Sequence, residues 1–553
     1  MSTEQKFRNE PVISSPLDLA YIFARDNLQD DLPACDIVFR HIRAGDFHAA
    51  SSHLEALTRP EFGNVEVLFR RRQFAALLSK VPYKGSAKKR RKAALTAFGK
   101  AEAQCRRTNR RLRFYYNHPE REHELYRILL TRARAKVLEL LGSPTISDGL
   151  LRRLFDLARP GKGVSIGSHN KFRTGLVYKL ADTDLAVTSS ARWYAHQMLS
   201  GDRHWSNLHI DADFGSKAYT YPFVLSESSR ITCVPKNART DRTIGVEPAM
   251  NVHLQLGVHE LFSDIMTRAG NTVLEGGQER NQELARLGSL KPYDERSPVT
   301  IDLKSASDTV SAALVERLFP REWVGLLDDL RCKSYRLDGR TYEFQKWSSM
   351  GNGYTFMLET MIFYSLVHAV NTWTGGSINS VYGDDIVCEK GSSLLLIELL
   401  RYCGFSVNTE KTAILGYFRE SCGADWYFGM CITPTYLREL KLRPTDIYRV
   451  LNRSDYRCVW GGARSYLLRE HREKYPILYG LEHEDDSCCL FVDFVEAKAR
   501  GALTWKPRIQ NWVFHRWEFK PIKERHRQEV LYAAALRGGG KTGMPTVRGR
   551  GSY

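Results

Sequence analysis

The 553-residue sequence has no run of the roughly 18 apolar residues that a membrane-crossing helix needs. Its densest apolar stretch, Leu394–Leu400, is short and contains Glu398, so it reads as a core element. Met1 to Glu10 lack the apolar segment of a secretory signal. The eleven cysteines are an odd, scattered set without a Cys-x-x-Cys pair, and the adjacent Cys488 and Cys489 are poorly placed for a structural bridge. The expectation is reduced thiols in a cytosolic protein, with no zinc and no membrane partner. No internal repeat is present. The glycine-rich stretch Arg159 to Asn170 lacks the Gly-x-x-x-x-Gly-Lys-Ser/Thr spacing of a phosphate loop and reads as a turn.

Acid is in short supply: 63 Asp and Glu face 81 Lys and Arg, a net charge of +18. Such an excess points to a polyanionic partner, nucleic acid first, against the plainer alternative of a basic soluble enzyme. Twelve Lys and Arg lie between Lys84 and Arg113, with Glu102 as the one acid among them. Ala93, Ala94 and Ala97 favour helix there. So dense a run of one sign repels itself unless an anion neutralises it, so Lys88, Lys89, Arg90, Arg91 and Lys92 are candidate RNA contacts. At the other end, Arg537 to Tyr553 is rich in glycine with scattered Arg and Lys and reads as a flexible basic tail.

The carboxylates carry the chemistry. In Ser380-Val-Tyr-Gly-Asp-Asp-Ile-Val-Cys388, β-forming residues flank Gly383-Asp384, a dipeptide suited to a type II′ hairpin turn. The turn would hold Asp384 and Asp385 at an exposed tip, where they repel each other unless a cation lies between. All-oxygen ligands suit Mg²⁺ or Mn²⁺. A third carboxylate, Asp302, ends the β-type run Val299–Leu303, and an amphipathic helix is expected from Thr309 to Phe319. Asp308 is either that helix's N-cap or a site residue. If the two strands are neighbours, Asp302, Asp384 and Asp385 converge and suit two-metal phosphoryl transfer.

Six motifs in order give these carboxylates a context: Pro235 to Pro248, Thr300 to Asp308, Ser349 to Glu359, Tyr382-Gly-Asp-Asp385, Gly404 to Asn408 with Lys411-Thr412, and Phe418 to Gly423. Together, over about residues 231–425, they resemble the palm of template-directed polymerases, and more narrowly the replicase subunits of Qβ-like single-stranded RNA bacteriophages. The resemblance implies an α+β right-hand polymerase: fingers and N-terminal helices over 1–230, continued by 231–287, a palm with a small antiparallel sheet over 288–425, and a thumb over 426–536 before the 537–553 tail. It implies RNA-directed RNA synthesis from ribonucleoside triphosphates on an RNA template in the bacterial cytoplasm. Host elongation factors Tu and Ts and a small-subunit ribosomal protein are implied as partners.

Residue by residue, Lys236, Arg239 and Arg242 supply cations for a nucleoside triphosphate. Ser349, Gly351, Asn352 and Thr355 line the second palm motif, where Gly351 and Gly353 permit close approach of template or nucleotide. Lys411 stands where relatives place a general acid for the pyrophosphate leaving group. Asp308 and Glu359 occupy ribose-sensing positions, with two departures: five residues separate Asp302 from Asp308 instead of four, and Glu359 replaces an Asn. A reverse transcriptase shares Tyr-x-Asp-Asp but usually has an aromatic residue at the position of Ser307. A non-catalytic RNA-binding protein would share the charge but leave the three aspartates without a purpose.

Overall fold

The computed structural model describes residues 15–60, 63–83, 85–161, 163–167, 179, 184–201, 221, 223–273, 276–518 and 547–552. Up to residue 157 the described chain is helical, in seven α-helices from Pro16–Asn27 to Asp148–Leu157. Local chemistry sets their starts. The side chains of Ser15, Asp46, Asn64 and Ser147 each accept a backbone N–H from the first turn of the helix that follows, satisfying donors that have no partner inside the helix. The basic run forms one helix, Ala87–Asn117.

Two hydrophobic cores organise the molecule. In one, the first four helices pack with residues from Tyr427 to Phe514; Phe23 lies against Trp460 with ring centroids 5.0 Å apart. The other surrounds the helix Thr355–Thr374, which is apolar on nearly every side and correspondingly buried. Against it lie Glu124–Leu141 and Lys390–Tyr402, and Ala249–Arg268 shares the same core.

The strands form small separate sheets among these helices, an α+β arrangement as the sequence led one to expect. The sheet that matters most has three antiparallel strands: Pro298–Ile301, Asp385–Glu389 in the middle, and Asn379–Tyr382. A second sheet of four strands is built on Ser228–Pro235 and Asp241–Val246, which pair antiparallel.

Two expectations need correction here. The single helix over 309–319 is broken into Ala306–Thr309 and Ala312–Leu318. Val310 and Ser311 between them are extended, because Val310 accepts from the Trp347 N–H at 2.8 Å and Ser311 bridges to Lys346. The basic tail is not wholly without structure: Val547–Ser552 pairs antiparallel with Asn511–Glu518. Backbone pairing needs no core of its own, and the strand Asn511–Glu518 supplies the partner. Residues 537–546 and Tyr553 lie outside the described residues. All eleven cysteines are free, and among the described residues no helix is long and apolar enough to cross a membrane.

Candidate active site

The aspartate hairpin forms as its sequence requires. Tyr382 pairs with Asp385, leaving Gly383-Asp384 as a two-residue turn. Gly383 has φ +63°, and a Cβ there would lie 2.4 Å from the Phe356 ring. Both facts demand glycine. Its N–H donates to Thr360 Oγ1 at 3.0 Å, fastening the turn to the buried helix Thr355–Thr374. Asp384 is exposed at the tip; Asp385, expected there too, is only partly exposed and starts the central strand.

Register brings the third carboxylate alongside. Ile301 pairs with Ile386, so Asp302, the next residue, leaves its strand beside Asp385. Two residues of a later segment hold Asp302. Asn408 Nδ2 donates to its Oδ2 at 2.7 Å, and the Asn408 N–H donates to its carbonyl at 2.9 Å. The Asp302 N–H donates to Thr412 Oγ1 at 3.2 Å. Lys411 sits on the same turn, its Nζ 3.6 Å from Glu420 Oε2.

The charges sense one another. Burial, opposed by Lys411 and Asn408 and reinforced by Glu420 and Asp384, holds the Asp302 carboxyl above its usual range. Burial pushes Asp385 up to about 6; the Cys422 N–H opposes this, while Asp384, Glu420 and Asp302 add to it. Burial works against charge on Lys411, but Glu420 and Asp302 outweigh it and raise its pKa. Lys236 is pushed down by burial, then by Arg242 and Lys411, with Asp302 and Asp384 acting the other way. Thus Asp302, Asp384, Asp385, Lys411, Lys236 and Arg242 occupy one electrostatic neighbourhood. Among the described residues no three Asp, Glu, His or Cys side chains already converge closely enough to hold one ion. The carboxylates are neighbours by register and field, not a finished cage.

Other candidates sit elsewhere. Arg239 pairs with the exposed Glu55 of the N-terminal helices. Ser349, Asn352 and Thr355 are buried and turned to protein. Asn352 Oδ1 accepts the Tyr354 N–H at 3.1 Å, and Thr355 Oγ1 lies 2.7 Å from Ser348 Oγ. Gly351, at φ +110°, and Gly353 do allow close approach, but to the protein's own backbone: a Cβ would meet the Gly245 carbonyl at 2.2 Å in the first case and the Leu256 nitrogen at 3.0 Å in the second.

Glu359 is fully enclosed, with Oε2 lacking any hydrogen-bond partner. Burial above all, then Asp384 and Asp308, drives its pKa well above the usual carboxylate value. Asp308 is not an N-cap; Ser305 holds that position, and Asp308 Oδ1 accepts from the buried Lys346 Nζ at 2.6 Å.

The basic helix also differs from a uniform phosphate-facing stripe. Arg90 points inward and pairs with Asp241 at 2.8 Å, both nearly enclosed, so it is unavailable to RNA. Arg91 pairs with Asp338 at 3.0 Å in the open. Lys89 reaches the Gly45 carbonyl at 3.4 Å, and Lys88 and Lys92 are exposed. The inner face braces the site: Glu102 Oε2 accepts the Gln345 N–H at 2.7 Å, and Gln104 Nε2 donates to the Gly404 carbonyl at 2.6 Å.

From the sequence alone Asn408, Thr412, Glu420, Glu102 and Lys346 have no assigned role. The spacing Asn408-x-x-Lys411-Thr412, one helical turn, was the available signal for the first two.

A family model described as RNA replicase, beta-chain, matches residues 52–464. This chain belongs to that family. The matched region contains the hairpin, Asp302 and their supports, and extends beyond the six motifs on both sides. The chain is 37% identical over 373 residues to the RNA-directed RNA polymerase subunit beta of Enterobacteria phage SP, a match covering 67% of this chain and 60% of that relative. It is 34% identical to the corresponding subunit of Escherichia virus Qbeta, over 64% of this chain and 56% of the relative. With the RNA-directed RNA polymerase beta chain of Escherichia phage MS2 it shares 39% identity over 42% of each chain. The chain therefore spans about half of the length of these relatives. A solved BmCPV RNA-dependent RNA polymerase at elongation state overlaps 65% of this chain at TM-score 0.38 and 9% identity.

Proposed function

We propose that this chain is an RNA-directed RNA polymerase, the catalytic subunit of a phage replicase, extending an RNA 3′-hydroxyl with ribonucleotides on an RNA template. The observation that carries the proposal is the meeting of Asp302 with the Asp384-Asp385 hairpin inside the region that matches the replicase family. The small antiparallel sheet would be the palm, with fingers before it and a thumb after it.

The donor set fits a hard divalent cation. It offers only oxygen, and burial and mutual repulsion hold Asp302 and Asp385 above their usual range, a strain that a cation relieves. Asp302, Asp384 and Asp385 would hold Mg²⁺ or Mn²⁺. When bound, such ions lower the pKa of an attacking hydroxyl and stabilise the leaving oxygen.

The chain's own residues do the rest. Asn408 and Thr412 fix the Asp302 carboxylate and backbone, so that ligand geometry is set before substrate arrives. Lys236 and exposed Arg242 bring positive charge to the triphosphate. Lys411, kept protonated by Glu420 and Asp302, holds a proton at Nζ for the departing pyrophosphate. Template and product RNA, elongation factors Tu and Ts, a small-subunit ribosomal protein and the bacterial cytoplasm follow as proposals from the family.

The test is extension of a labelled RNA primer on an RNA template with ribo- and deoxyribonucleotides in separate reactions. Ribonucleotide addition supports the proposal; deoxyribonucleotide addition alone favours a reverse transcriptase; RNA binding without any addition leaves a non-catalytic binder.

A further inference from the structure

Glu420, the partner of Lys411, also lines a cavity of about 550 Å³, a size that suits a small-molecule ligand. Its walls come from Lys80 after the helix Val65–Ser79, from the Glu420–Asp425 turn, and from residues 433–453. Both signs of charge are present, but they are not equally spent. Each acid on the wall has a cation: Glu420 has Lys411 at 3.6 Å, Asp425 has Arg72 at 2.5 Å, Glu439 has Arg443 at 3.9 Å and Asp446 has Arg449 at 3.5 Å. Arg449 and Arg453 also share Asp486.

Two cations remain. Among the described residues neither Lys80 nor Arg438 has an acid within salt-bridge distance. Lys80 Nζ lies 3.3 Å from the centre of the Tyr436 ring. Burial first and Arg438 second push its pKa down to about 8, Glu420 acting the other way. A cavity that sets Lys80 against an aromatic ring, with the exposed Arg438 as a second cation near it, offers charge to an anion.

We propose that this cavity, which shares Glu420 with the surroundings of the Asp302–Asp384–Asp385 site, is a second polyphosphate subsite in which Lys80 and Arg438 take the triphosphate of a nucleotide or of an RNA 5′ end. The subsite rests on the polymerase reading for its ligand class, since both ligands belong to that reaction. It needs no divalent ion, because its charge comes from side chains.

The experiment measures binding to the full chain in EDTA, with ATP, adenosine, a 5′-triphosphorylated RNA dodecamer and its 5′-hydroxyl counterpart as probes. Lys80→Gln/Arg438→Gln should weaken ATP, or the preference for the triphosphorylated over the 5′-hydroxyl RNA, by about tenfold or more, with adenosine unaffected. Loss with ATP identifies a free nucleotide; loss confined to the RNA pair identifies a strand end. Lys80→Arg/Arg438→Lys keeps both charges and should retain binding, which separates lost charge from lost folding. Unchanged binding in the Gln variant overturns the proposal, as does ATP binding abolished by Lys236→Gln/Arg242→Gln alone. Primer extension by the unmodified chain is scored alongside: no extension with intact Lys80-dependent binding removes the polymerase reading and leaves the subsite, and the converse removes the subsite alone.

Discussion

The aspartate hairpin and the basic helix are both conspicuous in the sequence, and they reward reading differently. The hairpin is local: a glycine that must take φ +63°, strands of four and five residues and two carboxylates define it within eleven residues. The helix Ala87–Asn117 is equally local as a helix, yet the fate of its charges is not. Every third or fourth residue turns inward: Arg90, Ala94, Phe98, Ala101, Glu102, Cys105, Thr108, Asn109 and Leu112 are buried. Charge density along a chain counts cations; helical period decides which of them meet solvent. One face of this helix offers Lys88, Lys92, Lys100, Arg106, Arg107 and Arg110 to solvent, while the other holds the backbone at Gln345 and Gly404.

The sharpest way to break that contrast is at the hairpin. Asp384→Ala should lower nucleotide incorporation by at least about a hundredfold, the scale for losing a group that stabilises developing charge. Its exposed position predicts an unchanged unfolding midpoint, measured by thermal denaturation. Next comes Arg90→Ala in the helix. Stranding Asp241 without its cation should cost about 3–5 kcal/mol of stability by denaturant titration, whereas Arg90→Ala/Asp241→Ala should recover part of the loss. Asn408→Ala removes the donor to Asp302 and should reduce kcat by an amount worth about 1.5–3 kcal/mol, with RNA affinity unchanged.

The smaller effects concern titration and salt. Asp385 is held at about 6 in the folded chain, against about 3.9 for an unfolded aspartate. The folded state therefore binds more protons between these values, so metal-free stability should fall as pH rises from about 4 to about 6. Asp385→Asn should flatten that interval in denaturation curves taken in EDTA. Lys88→Gln/Lys92→Gln should leave stability within about 0.5 kcal/mol. The pair should also flatten the plot of log RNA affinity against log salt, by about 0.7 for each phosphate that a lysine no longer neutralises.

The same division explains what the sequence disclosed. The approach of Asp302 to the Asp384-Asp385 hairpin was legible because all three lie at or just beyond the end of a short strand with its own turn chemistry. The break at Val310-Ser311 was not, since it arises from the distant Trp347 and Lys346. Nor was the enclosure of Glu359, whose place among buried apolar side chains depends on tertiary packing. Arg239 looked like a nucleotide clamp in its motif, and only the fold brings Glu55 to it. The sharing of one core by residues 15–83 and 427–514 has no local trace at all.

The most direct test compares the two regions in one assay: incorporation of labelled ribonucleotide on an RNA primer-template at saturating RNA, for Asp384→Asn and for Lys88→Gln/Lys92→Gln. The first is expected to lose incorporation while the second keeps it close to that of the unmodified chain. Extension by Asp384→Asn at the unmodified rate would contradict that expectation.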